Sequence, residues 1–343
     1  MKLAFARTNG LIDDVIDQLI EDAGEITCPS LVREMIVAAL KAGQEQDDAA
    51  DLKLMNSTLK EMRFTSKVFG PYRRVKKVTV FGSARTLPGE GAYEMAQALG
   101  RKLAKAGYMV ITGAGPGIMQ AVNEGAGPEH SFGVNIRLPF EQKPNPVLTG
   151  NPRLITYKYF FNRKIAFLKE AHAVVLFPGG FGTLDEALET ITLIQTGKRS
   201  PIPLVFVDEP GGRYWSRCVR FFEEELVTQN LISPSDFHIF ERVDSVDDTV
   251  ERINRFYRRY HSLRYADGRL VLRLNSPVDT AFVERLREAF TDILVPGGEM
   301  LLTGPLPQEA EEDEIAHLPR LVVDFNRREF GRLRCLIDAI NAY

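Results

Sequence analysis

One glycine-rich segment combines the parts of a phosphate site with a carboxylate. Residues 177–186 have the sequence FPGGFGTLDE and stand at the end of a fully apolar run. Gly179, Gly180 and Gly182 carry no side chain that would block a ligand, and Thr183 offers a hydroxyl where a helix is predicted to begin. Free backbone N–H groups at the start of a helix favour an oxyanion. The segment therefore predicts a phosphate site.

Glu186 is the residue of this segment that could do acid–base chemistry. Thr183 and Glu186 have the spacing of a capping box, in which each side chain satisfies a backbone N–H at the start of a helix, and this is the simpler interpretation. Glu186 nevertheless lies off the apolar stripe of the predicted helix and beside the glycines, where a bound phosphate would repel it. Because repulsion by a phosphate makes this position unfavourable for a carboxylate, Glu186 is predicted to have a second role, as a partner of a sugar hydroxyl or of a water.

Two basic residues lie on the helix predicted before this strand. Arg163 and Lys164 could pair with a phosphate or a carboxylate. A solvated helical face is the ordinary place for such residues and stays the alternative. The aromatic residues within YKYFF at 157–161 are typical of a core or an interface.

Two further glycine-containing segments follow predicted strands. Gly82-Ser83 follows the first strand, and residues 112–117, TGAGPG, follow the second. Glycines here let the backbone approach a ligand at a helix start, although a plain tight turn is the alternative. The dinucleotide pattern G-x-G-x-x-G would need a glycine where this chain has Ile118, which disfavours a nicotinamide or flavin oxidoreductase.

Short β-branched runs alternate with amphipathic segments from Val78 onward. The predicted strands are Val78–Phe81, Tyr108–Thr112, Phe132–Leu138, Ala173–Phe177 and Pro203–Val207, and the predicted helices are Tyr93–Ala106, a segment ending at Ala126, Ile155–Ala171, Leu184–Gln195 and Tyr214–Thr228. This alternation predicts an α/β fold with a Rossmann-like, mainly parallel sheet and helices on both faces. Ligand sites in such sheets lie at the carboxyl ends of the strands, where all three glycine segments fall.

The flanking regions predict separate units. Residues 1–70 form a helical N-terminal extension, residues 71–262 the Rossmann-like domain, and residues 263–343 a small C-terminal α+β subdomain. The subdomain's predicted elements are strands Arg269–Leu274, Glu299–Thr303 and Leu321–Phe325 and helices Thr280–Phe290 and Phe330–Ala342. A basic cluster at 73–77 is interpreted as the solvated start of the first strand.

Composition excludes several classes of protein. The net charge is −3, so no overall basic field favours nucleic acid or a membrane surface. The three cysteines are too far apart for a disulfide framework or a metal site, and the histidines lack metal-ligand spacing, so we expect no metal and a reducing cytoplasm. No signal peptide and no run of about 18 apolar residues is present, so no membrane span is expected.

The segment PGGxGTxxE at Pro178–Glu186, with an Arg-Lys pair beginning 23 residues before the glutamate, resembles the Lonely Guy (LOG) family. Gly82-Ser83, GAGPGIM at 113–119 and GVNIRLP at 133–139 match further family patterns. The resemblance covers roughly residues 75–230. The family was long labelled putative lysine decarboxylase. That label has little support here, because no lysine lies in a context that indicates a pyridoxal phosphate Schiff base.

Studied members of the family are phosphoribohydrolases, which release a free base and ribose 5-phosphate from a nucleoside 5′-monophosphate. The resemblance implies that Arg163 and Glu186 are the catalytic pair. The substrate-binding residues that we expect are Gly82, Ser83, Gly113, Gly115, Gly117, Glu141, Lys164, Gly179, Gly180, Gly182, Thr183 and Thr192. The resemblance implies no cofactor. It implies a homodimer or a larger homo-oligomer. The extensions are similar to those of longer bacterial relatives that act on ordinary purine or pyrimidine monophosphates, which argues against specificity for cytokinins.

Cleavage of a ribosyl bond develops positive charge on the sugar, which a carboxylate beside C1′ stabilises. Glu186 is the candidate for that role. The alternative function is a non-catalytic sensor that binds a nucleotide in the same pocket and signals through the extensions. The presence of both Arg163 and Glu186 disfavours it, because a pure phosphate binder has little use for the acid.

Overall fold

The computed structural model of the protein describes residues 9–46, 48–138, 143–309 and 312–343. Two compact units divide the chain, one ending at Phe64 and one comprising Thr65–Tyr343. The described part of the first unit is helical, as predicted, with α1 (Leu11–Asp22), α2 (Pro29–Glu45) and most of α3 (Ala49–Phe69). Its small apolar core contains Ile16, Ile20 and Val37.

The predicted Rossmann-like sheet is confirmed, and its described strands all run parallel. In chain order they are β1 (Lys77–Phe81), β2 (Met109–Thr112), β3 (Ser131–Ile136), β4 (Leu154–Tyr157), β5 (Ala173–Leu176), β6 (Leu204–Val207) and β7 (Glu241–Val243). Their spatial order is β4-β3-β2-β1-β5-β6-β7. The sheet first grows outward from one side of β1 and then, with β5, from the other. The topological switch point, where such sheets bind ligands, therefore lies between β1 and β5.

Helices cover both faces of the sheet. They are α4 (Gly91–Lys105), α5 (Ile118–Ala126), α6 (Phe160–Lys169), α7 (Phe181–Gln195), α8 (Tyr214–Phe221) and α9 (Val246–Phe256). The alternation of side chains along β1 shows the two layers. Val78 and Val80 pack in one core cluster with residues of α4, α5 and α9, whereas Thr79 and Phe81 contact Phe167 of α6. Burial on both faces is why the strands appear in the sequence as continuous apolar runs.

The prediction that residues 155–171 form a helix is wrong for the first residues of that range. Leu154–Tyr157 forms the edge strand β4, which pairs with β3 from Gly133↔Leu154 to Ile136↔Tyr157. Helix α6 begins only at Phe160. The spacing of apolar residues across this region resembled a helix, while the pairing that decides the matter comes from a distant segment. The sequence analysis also missed β7 and α9.

The C-terminal region adds a second, antiparallel sheet of the order β10-β11-β9-β8. Its elements are β8 (Tyr260–Ala266), β9 (Arg269–Leu274), α10 (Thr280–Ala289), β10 (Met300–Thr303), β11 (Arg320–Val323) and α11 (Phe330–Ala342). The predicted α+β character is confirmed, and only β8 was missed among the described elements. Asp267-Gly268 joins β8 to β9 with both residues at positive φ (47° and 82°), the backbone that a two-residue hairpin turn requires. The boundaries at 70/71 and 262/263 stay predictions. No described helix is both long and apolar enough to span a bilayer.

Candidate active site

A pocket of about 810 Å³ lies at the switch point between β1 and β5. Gly82 and Ser83, which follow β1, line one side of it, and residues 179–186, which follow β5, line the other. Arg163 of α6 completes the wall. The volume is within the range of about 300–1,000 Å³ that is typical of small-molecule sites. The sheet topology thus gathers most of the predicted site residues in one cavity.

Close backbone approach explains two of the glycines in these loops. Ser83 N donates a hydrogen bond to Pro178 O at 3.0 Å, which joins the loop after β1 to the loop after β5. A Cβ atom on Gly82 would lie 2.7 Å from Ile118 Cγ2, and one on Gly179 would overlap Thr183 Oγ1. At Gly180 and Gly182, by contrast, a Cβ atom would meet no atom of the described residues within 4 Å. The first two glycines serve packing, and the second two leave open space for a ligand.

Among the described residues, no side chain caps the start of helix α7. Gly180 is the N-cap residue in an extended conformation, and no described side chain accepts a hydrogen bond from the first turn. The free N–H groups and the helix dipole therefore favour an anion at this point. The capping-box interpretation is wrong, because the helix begins at Phe181 and Thr183 is already its third residue.

Glu186 is a buried carboxyl group with one unsatisfied oxygen. The residue is 8% exposed, and its Oε2 atom has no hydrogen-bond partner among the described residues. Burial raises the pKa of Glu186 to about 7, although the nearby positive charges of Lys164 and Arg163 act in the opposite direction. A carboxyl group with a pKa near neutrality can exchange a proton with a substrate or a water.

Lys164 lies against the acidic face of α7. Its Nζ atom is 2.8 Å from Asp185 Oδ2, 2.8 Å from Glu189 Oε2 and 3.8 Å from Glu186 Oε1. The side chain is thus engaged by three carboxylates, and it is not among the residues that line the pocket. Its positive charge favours the ionised form of Glu186.

Arg163 is held by packing. Its guanidinium carbon is 5.0 Å from the centre of the Phe167 ring, and Nη2 lies so near Gly113 that a Cβ atom there would be 2.6 Å away. Burial lowers the pKa of Arg163 and Glu186 raises it, but an arginine stays charged. Within the described ranges, its buried Nε atom has no hydrogen-bond partner. The residue presents a positive charge to the pocket wall.

The loop at 113–117 lies beneath the pocket. Gly113, Gly115 and Gly117 are buried and are not among the lining residues. Gly117 has φ +69°, and a Cβ atom there would overlap Ser83 O, the atom that accepts a 3.0 Å hydrogen bond from Ile118 N. Gly115 O accepts a hydrogen bond from Asn145 Nδ2 at 3.2 Å. Gly113 and Gly117 thus leave room for the Arg163 side chain and for the backbone of Ser83.

Two further residues that were predicted to bind the substrate are not among those that line the pocket. Thr192 is exposed further along α7 and lines a separate cavity of about 140 Å³ with Leu188 and Phe240. Glu141 lies outside the described residues.

The sequence analysis missed several residues that line the pocket, among them one tyrosine, one arginine and two phenylalanines. Tyr214, the first residue of α8, donates its hydroxyl hydrogen to Gly179 O at 2.7 Å. Arg85 lies two residues after Ser83, and the rings of Phe160 and Phe181 are 56% and 92% exposed. The sequence did offer a signal for Tyr214, because this residue follows β6. Strand β6 is the neighbour of β5, so its carboxyl end lies next to the switch point.

The arrangement suits a phosphorylated ligand with a reacting bond beside a carboxyl group. The start of α7 offers the anion site, Arg163 a positive charge, and Glu186 a proton acceptor. In the part of the chain that the structure describes, no group of three or more His, Cys, Asp and Glu side chains could hold a metal ion.

Comparisons with known proteins match this region. Residues 118–253 fit the family model described as possible lysine decarboxylase. The cytokinin riboside 5′-monophosphate phosphoribohydrolase LOG7 of Arabidopsis thaliana is 26% identical over 187 residues, which are 53% of this chain and 83% of the relative. The pyrimidine/purine nucleotide 5′-monophosphate nucleosidase of Escherichia coli (strain K12) is 30% identical over 128 residues, which are 34% of this chain and 28% of that protein. Among solved structures, the molybdenum cofactor carrier protein of Chlamydomonas reinhardtii has 18% identity and a TM-score of 0.38, over 53% of this chain and 97% of that one.

Proposed function

Because its Rossmann-like region belongs to the LOG family, we propose that this protein hydrolyses the N-glycosidic bond of nucleoside 5′-monophosphates to a free base and ribose 5-phosphate. The observation that carries the proposal is the position of Glu186 in the pocket. Its carboxyl group is buried and not used as a helix cap, and it lies within the first two turns of a helix whose start favours an anion. The activities of the two relatives, a phosphoribohydrolase and a nucleotide 5′-monophosphate nucleosidase, support the same class of reaction.

The phosphate of the substrate binds at the start of α7, next to Gly180, Gly182 and Thr183. Binding energy from this non-reacting group positions the ribose, so that C1′ lies near Glu186. The bond from C1′ to the base nitrogen breaks, and its electron pair leaves with the base. The Glu186 carboxylate stabilises the positive charge on the sugar and takes a proton from the water that adds to C1′. The proton that Glu186 takes from the water passes on to the departing base, directly or through solvent, which restores the carboxylate, so that one water is consumed in each turnover.

Arg163 has two roles that fit its place in the wall. It can neutralise the substrate phosphate, or it can orient the Glu186 carboxylate and assist departure of the base. Its rigid packing against Phe167 and Gly113 suits either role, because a fixed charge needs no reorganisation during the reaction.

The first test is an incubation of the purified protein with AMP, GMP, CMP, UMP and a cytokinin riboside monophosphate. We expect release of base and ribose 5-phosphate from at least one of them, read by chromatography. The matched nucleosides, which lack the phosphate, are the control and should react far more slowly, because they cannot use the anion site. The alternative function, a nucleotide sensor, predicts saturable binding with no release of base from any nucleotide, and that outcome would contradict the proposal.

The rate should depend on pH through the ionisation of Glu186. Since burial raises the pKa of this carboxyl group to about 7, its protonated form dominates below that value and cannot accept a proton. We therefore expect kcat/KM to fall about tenfold for each pH unit below the pKa and to level off above it. A rate that falls above pH 7 instead would assign Glu186 to the opposite role of general acid.

We propose that the protein is a homodimer or a larger homo-oligomer. Apolar side chains of α6 and α7 near the pocket are unusually exposed, among them Phe160, Phe161, Ile165, Phe181 and Leu188. Exposed apolar surface of this kind is typical of a contact between subunits. Light scattering at micromolar concentration should give at least twice the mass of one chain, and a monomer under those conditions would contradict the proposal.

A further inference from the structure

A second cavity, of about 490 Å³, lies at the opposite end of the parallel sheet. Arg73, Arg74 and Lys76 line it just before β1 begins, and His172 lines it just before β5. His261, from the start of β8, lies on another side. We call this cavity the basal pocket. It is distinct from the active-site pocket, which lies where β1 and β5 end.

The charge of the basal pocket is one-sided. Among the described residues that line it, none is acidic. Arg74 forms a salt bridge with Glu314, but both side chains are strongly exposed, so a ligand can compete with this weak pair. Lys76 lies over the ring of Tyr257, with Nζ 4.4 Å from its centre, and is not neutralised by that contact. Apart from the exposed pair of Arg74 and Glu314, the positive charges of the cavity have no carboxylate partner among its described lining residues.

The pKa values of the two histidines reflect the same excess of positive charge. Burial, together with the positive charges of Lys77, Lys76 and Arg199, lowers the pKa of His172 to about 4, although a hydrogen bond to the backbone of Glu170 acts in the opposite direction. Burial also lowers the pKa of His261, and Lys76 and Arg273 are the next causes. The His172 Nδ1 atom accepts a hydrogen bond from Lys77 N at 3.2 Å. With Nδ1 acting as the acceptor, the neutral ring of His172 carries its proton on Nε2.

Arg199 provides a further cation beside this cavity. Its Nη2 atom donates a hydrogen bond to the carbonyl of Ala171, a residue that lines the basal pocket. Its Nε atom is buried and finds no partner within the described ranges. Burial lowers the pKa of Arg199, yet a guanidinium stays charged. The floor of the cavity is apolar and aromatic, with Ile202 and Tyr260.

We propose that the basal pocket is a second binding site, for the di- or polyphosphate group of a small molecule. Arg73, Arg74 and Lys76 place three cationic side chains on one side of a cavity, which suits a ligand with several negative charges better than a single carboxylate. Neutral imidazole N–H groups add donors without further repulsion. Because this site and the active site lie at opposite ends of β1 and β5, their ligands do not compete for the same space.

The test is a titration of the full chain with inorganic pyrophosphate at constant ionic strength, read from the imidazole resonances in NMR spectra. Of the five histidines, His172 and His261 line the basal pocket, whereas no described histidine lines the active-site pocket. We expect saturable shifts of these two resonances that excess ribose 5-phosphate does not reverse. The double variant Arg73→Gln/Lys76→Gln should weaken binding at least about tenfold.

The double variant Arg217→Gln/Lys105→Gln is the matched control, because it removes the same charges from exposed positions outside both cavities. It should bind pyrophosphate like the wild type. Equal weakening in both double variants would show a general charge effect and overturn the proposal. So would a titration that moves neither resonance, or shifts that ribose 5-phosphate reverses, since the latter would place the pyrophosphate in the active-site pocket.

Discussion

Glu186→Gln is expected to lower kcat by about 10²–10⁴-fold, while the fold and the binding of phosphate stay largely intact. The amide keeps the size of the buried side chain but cannot take a proton from water or stabilise positive charge on the ribose. Folding should tolerate the change, because the carboxyl group caps no helix and its Oε2 atom has no protein partner in the described part of the chain. The measurement is release of base from the best nucleotide, together with thermal unfolding and binding of ribose 5-phosphate.

Glu189→Gln is the matched control for that experiment. Glu189 lies one turn further along α7 and also contacts Lys164, at 2.8 Å, but it is not among the residues that line the active-site pocket. Its loss removes the same charge from the same ion-pair cluster, so the rate should stay within a few-fold of the wild type. If Glu186→Gln hydrolyses nucleotides at the wild-type rate, Glu186 is not the catalytic carboxylate. If both variants lose activity equally, the effect is electrostatic rather than specific to one group.

The location of the candidate site could be predicted from the sequence because it depends on local patterns. Short apolar runs predicted five of the parallel strands, and the glycine-containing segments after three of them predicted the loops at their carboxyl ends. The switch point then follows from topology rather than from any single residue. Gly180 and Gly182 indeed face open space at the start of a helix. Glu186 lies beside them because it is on the same helix.

The role of each glycine could not be predicted from spacing. Gly113 and Gly117 have the same pattern as ligand-binding glycines, yet the atoms that a Cβ would meet belong to Arg163 and to the backbone of Ser83. A sequence shows that a position needs a small residue, but not whether protein or ligand fills the space. The capping box failed for a related reason. Helix α7 begins two residues before Thr183, at Phe181, and a boundary shift of that size changes which side chain can reach a free N–H.

What else the sequence did not predict depends on contacts between residues that are far apart along the chain. The basic residues at 73–77 were interpreted as a solvated strand start, and Arg73, Arg74 and Lys76 are indeed exposed. That these three also line a cavity could not be predicted, since nothing nearby in the sequence suggests one. His172 and His261, which complete the basal pocket, are about 100 and 190 residues away along the chain. Strand β4 was likewise mistaken for a helix, because its partner β3 is what stabilises it. Contacts of this kind depend on the tertiary fold and leave no local pattern.

Arg163→Gln is expected to lower kcat/KM by about 10²–10³-fold, the usual cost of removing one preorganised charged donor from an active site. Arg163 is fixed by the Phe167 ring and the glycine at 113, and no described group pairs with its buried Nε. Steady-state kinetics with the best nucleotide is the measurement, and Arg217→Gln, on the exposed surface of α8, should match the wild type. Unchanged kinetics in Arg163→Gln would exclude the residue from the reaction.

The division of that loss between kcat and KM decides what Arg163 does. A rise in KM with unchanged kcat means that the guanidinium binds the 5′-phosphate equally in the ground state and the transition state. Arg163→Lys should then recover part of the affinity, because a point charge still attracts a phosphate. A fall in kcat with unchanged KM means that the group acts in the transition state, on Glu186 or on the departing base, and there lysine should rescue poorly. A planar guanidinium held by packing cannot be replaced in geometry by a flexible ammonium.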